Sequence, residues 1–180
     1  EWIYQYVLKD KLAGGSLYLH LRCKKKRKKR YGSNERRGIL KNRIGIDQRP
    51  AIVDTRSRVG DWEADTIIGK AHKQAIVSIT ERKSGLALIY KVDRRTKENT
   101  EGAIKRLLGS ISKQVHTITS DNGKEFGNHE KIAKGLKCNF YFAHAYSSWE
   151  RGTNENTNGL IRQYFPKNRD FRTITDKELI

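Results

Sequence analysis

The stretch at residues 60–69, GDWEADTIIG, constrains this chain more than any other part of its sequence, because it places three carboxylates in a predicted strand. Its alanine and isoleucines, with Val59 just before it, are typical of a buried strand. Asp61, Glu63 and Asp65 interrupt this apolar pattern. An ionised carboxylate is strongly disfavoured in apolar surroundings unless it is paired or bound to a metal ion. The stretch therefore predicts a metal site built on a strand.

Two later stretches carry carboxylates suited to meet this strand. Residues 117–123, TITSDNG, predict a strand that runs into a turn, and residues 152–156, GTNEN, predict the start of a helix. Mg²⁺ prefers oxygen ligands, and phosphodiester chemistry depends mainly on charge neutralisation. We therefore interpret Asp65, Asp121 and Glu155 as a metal-binding catalytic triad. Three like charges in a poorly solvated cleft also predict that at least one of these carboxyls has a raised pKa.

The charge of the chain is large and uneven. The formal net charge is +18, and the first 60 residues hold 17 Lys and Arg against 5 Asp and Glu, which is +12 and leaves +6 for the rest. Such an excess predicts a polyanionic partner, and nucleic acid is the simplest one. A solvated charged surface accounts for the +6 better than for the +12.

Seven consecutive basic residues form the centre of this excess. They repel one another and cannot build a core, so we interpret them as an extended arm that lies along DNA phosphates. A merely solvated linker and a nuclear-import signal are the alternatives. The residues are Lys24, Lys25, Lys26, Arg27, Lys28, Lys29 and Arg30.

The apolar pattern divides the chain into a basic helical and extended arm, residues 1–51, and a folded core, residues 52–180. The arm begins with two short predicted helices within residues 2–22. The core shows the order βββαβαβα, which predicts a mixed five-stranded sheet with flanking helices and antiparallel pairing of its first three strands. The predicted strands are 59–68, 75–81, 85–92, 115–120 and 139–143, and the predicted helices are 97–111, 125–136 and 150–164.

Several classes of protein are disfavoured by what the sequence lacks. Cys23 and Cys138 have no partners at zinc-site spacing, and two cysteines make no disulfide framework, which indicates a reducing, intracellular setting. No apolar run approaches the 18 residues of a membrane span. The chain begins with Glu1 and contains no Met, so we expect it to be part of a longer polypeptide.

The motifs around the three carboxylates resemble a known family. Residues 62–66, WEADT, match a W-x-x-D-x-T first strand; residues 121–123 are D-N-G; and 33 residues separate Asp121 from Glu155. Residues 151–162, RGTNENTNGLIR, resemble an acidic helix with a basic residue, Arg162, seven positions after Glu155. The whole chain, including residues 14–18 and 49–50, resembles the DDE transposase and retroviral-integrase superfamily, and within it the bacterial transposases of the insertion-sequence thirty group.

This resemblance implies an RNase H-like fold and dependence on Mg²⁺ or Mn²⁺, with two ions expected. It implies hydrolytic nicking at element ends, followed by attack of the freed 3′-OH on target DNA. We expect a bacterial, cytoplasmic, nucleoid-associated protein that forms a homo-oligomer when assembled on DNA. The family's N-terminal helix-turn-helix region and the last part of its C-terminus have no counterpart here, as in a fragment.

The resemblance assigns ligand roles to Asp65, Asp121 and Glu155 but not to Asp61 or Glu63. Asp61 shares a strand face with Asp65, so a metal role and a strand-entry role both stay open for it.

Further expectations concern polar residues near the triad. Asn122, Asn154 and Asn158 are predicted to support the ligands by hydrogen bonds, with turn formation and helix capping as the alternative for the first two. Arg162 is predicted to contact DNA phosphate or hold Glu155, against a surface salt bridge, and Trp149 either stacks on a base or packs under its loop.

Three functions remain open on sequence alone. The favoured one is a metal-dependent transposase core that cleaves element ends and transfers strands. An RNase H-like nuclease without strand transfer would use the same metal site. An inactive nucleic-acid-binding relative is the third, and the complete triad disfavours it.

Overall fold

The computed structural model describes residues 2–21, 40–70, 74–145 and 147–179. The chain divides into two compact units, Glu1–Arg37 and Gly38–Ile180. In the first unit, helix α1 (Trp2–Leu12) precedes a 3₁₀ helix (Leu17–His20), and the carboxylate of Asp10 accepts a hydrogen bond from the backbone N–H of Leu17 at 3.0 Å. The predicted DNA-binding residues Lys24–Arg30 lie outside the described residues.

The second unit contains a five-stranded mixed sheet, which confirms the predicted fold class. The strand order is β3-β2-β1-β4-β5. The first three strands pair antiparallel, and β4 and β5 run parallel to β1, as the βββαβαβα order predicts. The strands are β1 (Asp61–Ile68), β2 (Ala75–Glu81), β3 (Ala87–Val92), β4 (Thr117–Ser120) and β5 (Asn139–Phe142).

Three helices of this unit follow the predicted order, and a short helix before β1, α2 (Ile52–Thr55), was not predicted. The predicted three are α3 (Lys97–Leu108), α4 (His129–Leu136) and α5 (Gly152–Tyr164). The hydroxyl of Thr96 caps α3 by accepting the backbone N–H of Asn99 at 3.2 Å, which satisfies one of the free donors at a helix start. The helix predicted at 97–111 ends at Leu108, and a 3₁₀ helix (Gly109–Gln114) continues it. No helix among the described residues is long and apolar enough to cross a membrane.

The two faces of the sheet bury different sets of side chains, because alternate residues of a strand point to opposite faces. Trp62 and Ala64 of β1 join the larger core, which α3 and α4 cover. Ile67 of β1 joins a smaller core with Ile161 of α5. The face that holds Ile67 therefore also carries Asp61, Glu63 and Asp65, all at odd positions of β1.

The boundary between arm and core differs from the prediction at 51/52. Residues 40–51 belong to the compact unit that starts at Gly38. Gly45 bridges to Phe142 of β5, and Arg49 is buried, with its guanidinium donating to Thr119 at 3.1 Å and to Asp54 at 2.5 Å. The sequence shows little apolar periodicity here because the segment is held mainly by buried Arg49 and the bridge at Gly45, with Leu40 as its apolar contact with the core.

Candidate active site

Asp65 and Asp121 lie side by side at the junction of β1 and β4. The parallel register pairs Glu63 with Thr119, so two residues further on Asp65 of β1 reaches the level of Asp121, which directly follows the end of β4. The side chain of Asp65 is 24% exposed and that of Asp121 is 43% exposed. The carboxylates of Asp65 and Asp121 therefore lie close together, as predicted.

A guanidinium stands between these two carboxylates. Arg151 ends the 3₁₀ helix Ser148–Arg151, which leads into α5. One of its terminal nitrogens lies 3.4 Å from Oδ2 of Asp65, and the other lies 3.9 Å from Oδ2 of Asp121. The site therefore holds two negative charges and one positive charge from the chain itself.

The pKa of Asp65 is raised above its usual value. Burial is the main cause, and the negative charge of Asp121 acts in the same direction. The charge of Arg151 and a 2.8 Å hydrogen bond from the backbone N–H of Thr66 oppose the rise without cancelling it. The pKa of one carboxyl is thus raised, as expected, but burial contributes more to the rise than the neighbouring negative charge does.

Helix α5 contacts this site through amide side chains. Asn158 donates to Oδ2 of Asp65 at 2.9 Å and accepts from the hydroxyl of Ser78 at 2.8 Å. One turn earlier, Asn154 accepts from the hydroxyl of Thr80 at 3.2 Å, and its backbone N–H donates to Glu63 at 2.8 Å. Both asparagines therefore contact the site strands directly, as supporting residues are expected to do.

The other two carboxylates of β1 are neutralised by arginines. Asp61 accepts two hydrogen bonds from Arg58, at 2.8 and 2.9 Å, and one from Thr117 at 2.7 Å. Glu63 is fully buried and accepts from Arg82 at 2.5 Å. Of the three charges that predicted a metal site, two are thus hydrogen-bonded to arginines, and Asp65 has with Arg151 only the longer contact of 3.4 Å. For Asp61 this arrangement favours the strand-entry role.

Glu155 does not join the two aspartates. It is exposed on α5, and no three His, Cys, Asp or Glu side chains of the described residues lie close enough together to hold an ion. Asn154, Asn158 and Ile161 occupy the face of α5 that packs on the sheet, and Glu155 lies about 100° further round the helix than Asn154. The predicted convergence of all three carboxylates is therefore only partly present, and a ligand role for Glu155 stays a prediction.

The turn after β4 is fastened to its surroundings. The amide of Asn122 donates to the carbonyl of Ala143 at 2.7 Å and accepts from Arg43 at 2.5 Å, which joins the ends of β4 and β5. Asn122 thus holds the turn to neighbouring segments, and its support of the metal ligands stays a prediction. A Cβ on Gly123 would lie 2.6 Å from the carboxylate of Glu125, so a larger residue here would displace that side chain.

Arg162 and Trp149 differ in their surroundings. Arg162 donates to the main-chain carbonyls of Ile68 at 2.9 Å and Phe165 at 3.4 Å, so it joins α5 to the end of β1 and does not hold Glu155. Its contact with DNA phosphate stays a prediction. The side chain of Trp149 is 73% exposed, so it does not pack beneath its loop.

Sequence reasoning assigned no role to four charged residues that shape this site. Arg58, Arg82 and Arg151 neutralise the carboxylates of β1, and Glu125 accepts from the hydroxyl of Thr66 at 2.8 Å. For Arg151 a signal existed, because it directly precedes the acidic helix in the RGTNEN motif. Arg82 and Glu125 are distant in sequence from the residues they contact. Arg58 is close to Asp61 but belongs to no periodic pattern.

The chain matches the integrase core domain family over residues 55–148. It is 46% identical over 180 residues to the transposase for insertion sequence element IS4351 of Bacteroides fragilis, which covers 99% of this chain and 55% of that protein. It is 33% identical over 139 residues to transposase InsI for insertion sequence element IS30A of Escherichia coli K12, which covers 77% of this chain and 36% of that protein. The chain thus spans about half the length of the curated relatives it matches.

A solved structure supports the fold. A chain from the cryo-electron microscopy structure of the simian T-cell lymphotropic virus intasome, in complex with PP2A regulatory subunit B56 gamma, superposes with a TM-score of 0.55. The match covers 68% of this chain and 46% of that chain at 18% sequence identity. The five-stranded sheet and its flanking helices accordingly form an integrase-like, RNase H-like core, as the resemblance implies.

Proposed function

The chain belongs to the integrase core domain family, and on that basis we propose that it is the catalytic core of an insertion-sequence transposase. The reaction is metal-dependent strand cleavage at the ends of a DNA element, followed by strand transfer into target DNA. The observation that carries the proposal is the proximity of Asp65 on β1 to Asp121, which directly follows β4, because phosphodiester cleavage depends on charges placed around the reacting phosphate.

The donor set suits a hard divalent cation. Asp65 and Asp121 present carboxylate oxygens at one partly exposed point, and the guanidinium of Arg151 beside both shows that a positive charge is accommodated there. Asp65 and Asp121 would hold Mg²⁺ or Mn²⁺, with Glu155 of α5 as the proposed third ligand and two ions proposed in all. When bound, such ions activate a nucleophile and stabilise the leaving oxygen of the phosphodiester.

The residues around the carboxylates position them. Asn158 orients the Oδ2 atom of Asp65, and Asn122 ties the turn that carries Asp121 to the end of β5. The buried pair of Glu63 and Arg82, with the backbone of Asn154, fastens the start of α5 to β1. These contacts fix the site before substrate arrives, which reduces the ordering required for the reaction.

The proposed partner is DNA, both element ends and target. The net charge of +18 supports this assignment, and Lys24–Arg30 with Arg162 are the proposed phosphate contacts. We assign residues 1–37 to a basic arm and residues 38–180 to the catalytic core, because residues 40–51 belong to the compact unit that contains the sheet. A homo-oligomer assembled on DNA, in the cytoplasm of a bacterium and at its nucleoid, completes the proposal.

The test uses the full open reading frame that contains this chain. The purified protein is mixed with pre-nicked end DNA, a target plasmid and Mg²⁺, and joined products are measured beside hydrolysed ones. Joined products that disappear in Asp121→Asn are the expected result. Hydrolysis without joining would identify a nuclease, and no reaction from a folded, DNA-bound protein would identify an inactive relative.

A further inference from the structure

The three carboxylates on one face of β1 are held in two different ways. Asp61 and Glu63 accept hydrogen bonds of 2.5–2.9 Å from arginines. Asp65 instead faces Arg151 across 3.4 Å, beyond the usual length of an N–H···O hydrogen bond. The strand therefore carries two tightly formed ion pairs and one loose pair, and the loose pair is at the candidate active site.

The guanidinium of Arg151 is enclosed but incompletely bonded. Its side chain is only 13% exposed, and its Nε is buried without a hydrogen-bond partner among the described residues. Its second terminal nitrogen lies 3.9 Å from Asp121. Coulombic attraction to two carboxylates, more than directed hydrogen bonding, keeps the group in place. A cation held in this way is open to displacement by another cation.

The backbone that carries Arg151 is tied down independently of its side chain. The carboxylate of Glu150, the preceding residue, accepts from the backbone N–H of His144 and contacts its Nδ1, both at 2.8 Å. A cavity of about 540 Å³ lies beside Arg151 and is also lined by Asp121, Gly123 and His144. The side chain therefore has space to leave the carboxylates while the 3₁₀ helix stays fixed.

We propose that Arg151 is a displaceable counter-ion, which neutralises Asp65 and Asp121 in the metal-free protein and releases them to the divalent cation. This inference rests on the proposed function, because it takes the two aspartates as metal ligands. Arg151 is on this view a positioning residue that keeps the empty site folded. It lowers the apparent affinity for metal by competing for the same oxygens.

If Arg151 competes with the metal ion, its substitution should raise the affinity for metal, which is unusual for a residue beside a metal site. Removing a neighbour of metal ligands normally weakens metal binding. Here Arg151→Gln removes a competitor, so we expect the affinity for Mn²⁺ to rise by about tenfold, the size expected when two loose ion pairs are removed. Arg151→Lys, which keeps the charge but loses the forked geometry, should lie between the parent and the glutamine variant.

The measurement is isothermal titration calorimetry of the 180-residue chain with Mn²⁺, without DNA, at one fixed low ionic strength. Arg172→Gln is the matched control, because it removes one arginine charge from an exposed pair with Asp170 and should leave the affinity unchanged. Melting curves in chelator provide a second measurement. The Arg151→Gln protein should melt below the parent in chelator, yet gain more from saturating Mn²⁺.

The inference fails if folded Arg151→Gln binds Mn²⁺ with the parent's affinity or more weakly. If that variant does not fold, Arg151→Lys decides, and binding no tighter than the parent overturns the inference. Asp121→Asn separates this failure from failure of the proposed site. If Asp121→Asn binds Mn²⁺ as the parent does, Asp121 is not a ligand and the site itself is wrong. If it loses binding while Arg151→Gln is unchanged, the site stands and only the counter-ion role falls.

Discussion

The amide of Asn158 donates a 2.9 Å hydrogen bond to the carboxylate of Asp65 and accepts one from Ser78, the residue that pairs with Asp65 across β1 and β2. Asn158→Ala would leave both groups without this partner. We expect a loss of about 1–2 kcal/mol in unfolding free energy, or a fall of roughly 2–8 °C in Tm.

Melting curves in chelator test this expectation. Asn156→Ala is the matched control, because Asn156 is exposed on the same helix and its loss should cost under about 0.5 kcal/mol. Equal changes for the two variants would show that the contact between Asn158 and Asp65 does not stabilise the fold.

Asp121→Asn should abolish the response to Mg²⁺. For the parent, Mg²⁺ at ten times its Kd adds about 1.4 kcal/mol to the unfolding free energy, because the ion binds only the folded state. That is a rise of roughly 3–6 °C in Tm. The variant loses one of the two proposed ligands that lie side by side, and should gain little. Paired melting curves in chelator and in Mg²⁺ measure it, and an equal gain in both proteins would contradict the metal assignment.

Glu63→Gln should destabilise the core severely. It removes the charge that pairs with buried Arg82 at 2.5 Å, and breaking a buried ion pair costs about 3–5 kcal/mol. Chemical denaturation measures the loss. Glu98→Gln on α3 is the control, since its pair with Lys97 at 3.8 Å is exposed and contributes about 0–1 kcal/mol. A small change for Glu63→Gln would mean that Asp54, 3.5 Å from Arg82, takes over as its partner.

The stability of the parent should fall in acid partly through Asp61. Burial raises the pKa of this carboxyl, but the hydrogen bonds from Arg58 and Thr117 outweigh burial and lower its pKa in the folded protein. A lowered folded pKa contributes stability that is present above the unfolded value, about 3.9, and is lost as pH falls through the folded value.

The free energy of unfolding, measured from about pH 6 down to pH 2, should therefore fall less steeply in Asp61→Asn than in the parent below about pH 4. At pH 6 the variant should be the less stable protein. Asp93→Asn, which changes an exposed aspartate, serves as the control. Parallel curves for parent and Asp61→Asn would rule out this contribution.

Neutralising Lys24–Arg30 should weaken DNA binding in a salt-dependent way. Each phosphate contact contributes about 0.9 to the slope of log K against log salt, so seven contacts correspond to a change of roughly 6. Replacing Lys131, Lys134 and Lys137, on and just after α4, is the control for general loss of charge. Fluorescence anisotropy across a salt series measures the slopes, and an unchanged slope would show that the arm does not touch DNA.

Apolar periodicity was enough to predict the order of the strands and of the three helices that follow them, and the carboxylates in two of the strand segments indicated that Asp65 and Asp121 would meet. Periodicity was not enough for the orientation of α5. Asn154 and Asn158 are polar, yet they lie on the packed face of the helix, because Thr80 and Ser78 offer them hydroxyl partners there. A pattern based on hydrophobicity places such residues outward.

Ion pairs between distant residues were also beyond prediction. Arg82 lies in the turn after β2, and nothing in its neighbours indicates a partner on β1. For the same reason the start of the folded core was placed too late, at residue 52. Arg49 is held by polar contacts with Thr119 and Asp54, which apolar periodicity does not indicate. Only the register of the sheet, once known, shows which charges meet.

That register also matches the spacing of two residues on α5 to the spacing of two residue pairs in the sheet. Asn154 and Asn158 are four residues apart, about 6 Å along α5, and each lies over a cross-strand pair, Glu63 with Thr80 and Asp65 with Ser78. Those pairs are two residues apart, about 6.7 Å along the strands. The two spacings are nearly commensurate. One residue inserted between the asparagines would turn the second amide by about 100° away from Asp65. The same insertion after Tyr164 would leave the contacts of both asparagines with the sheet unchanged.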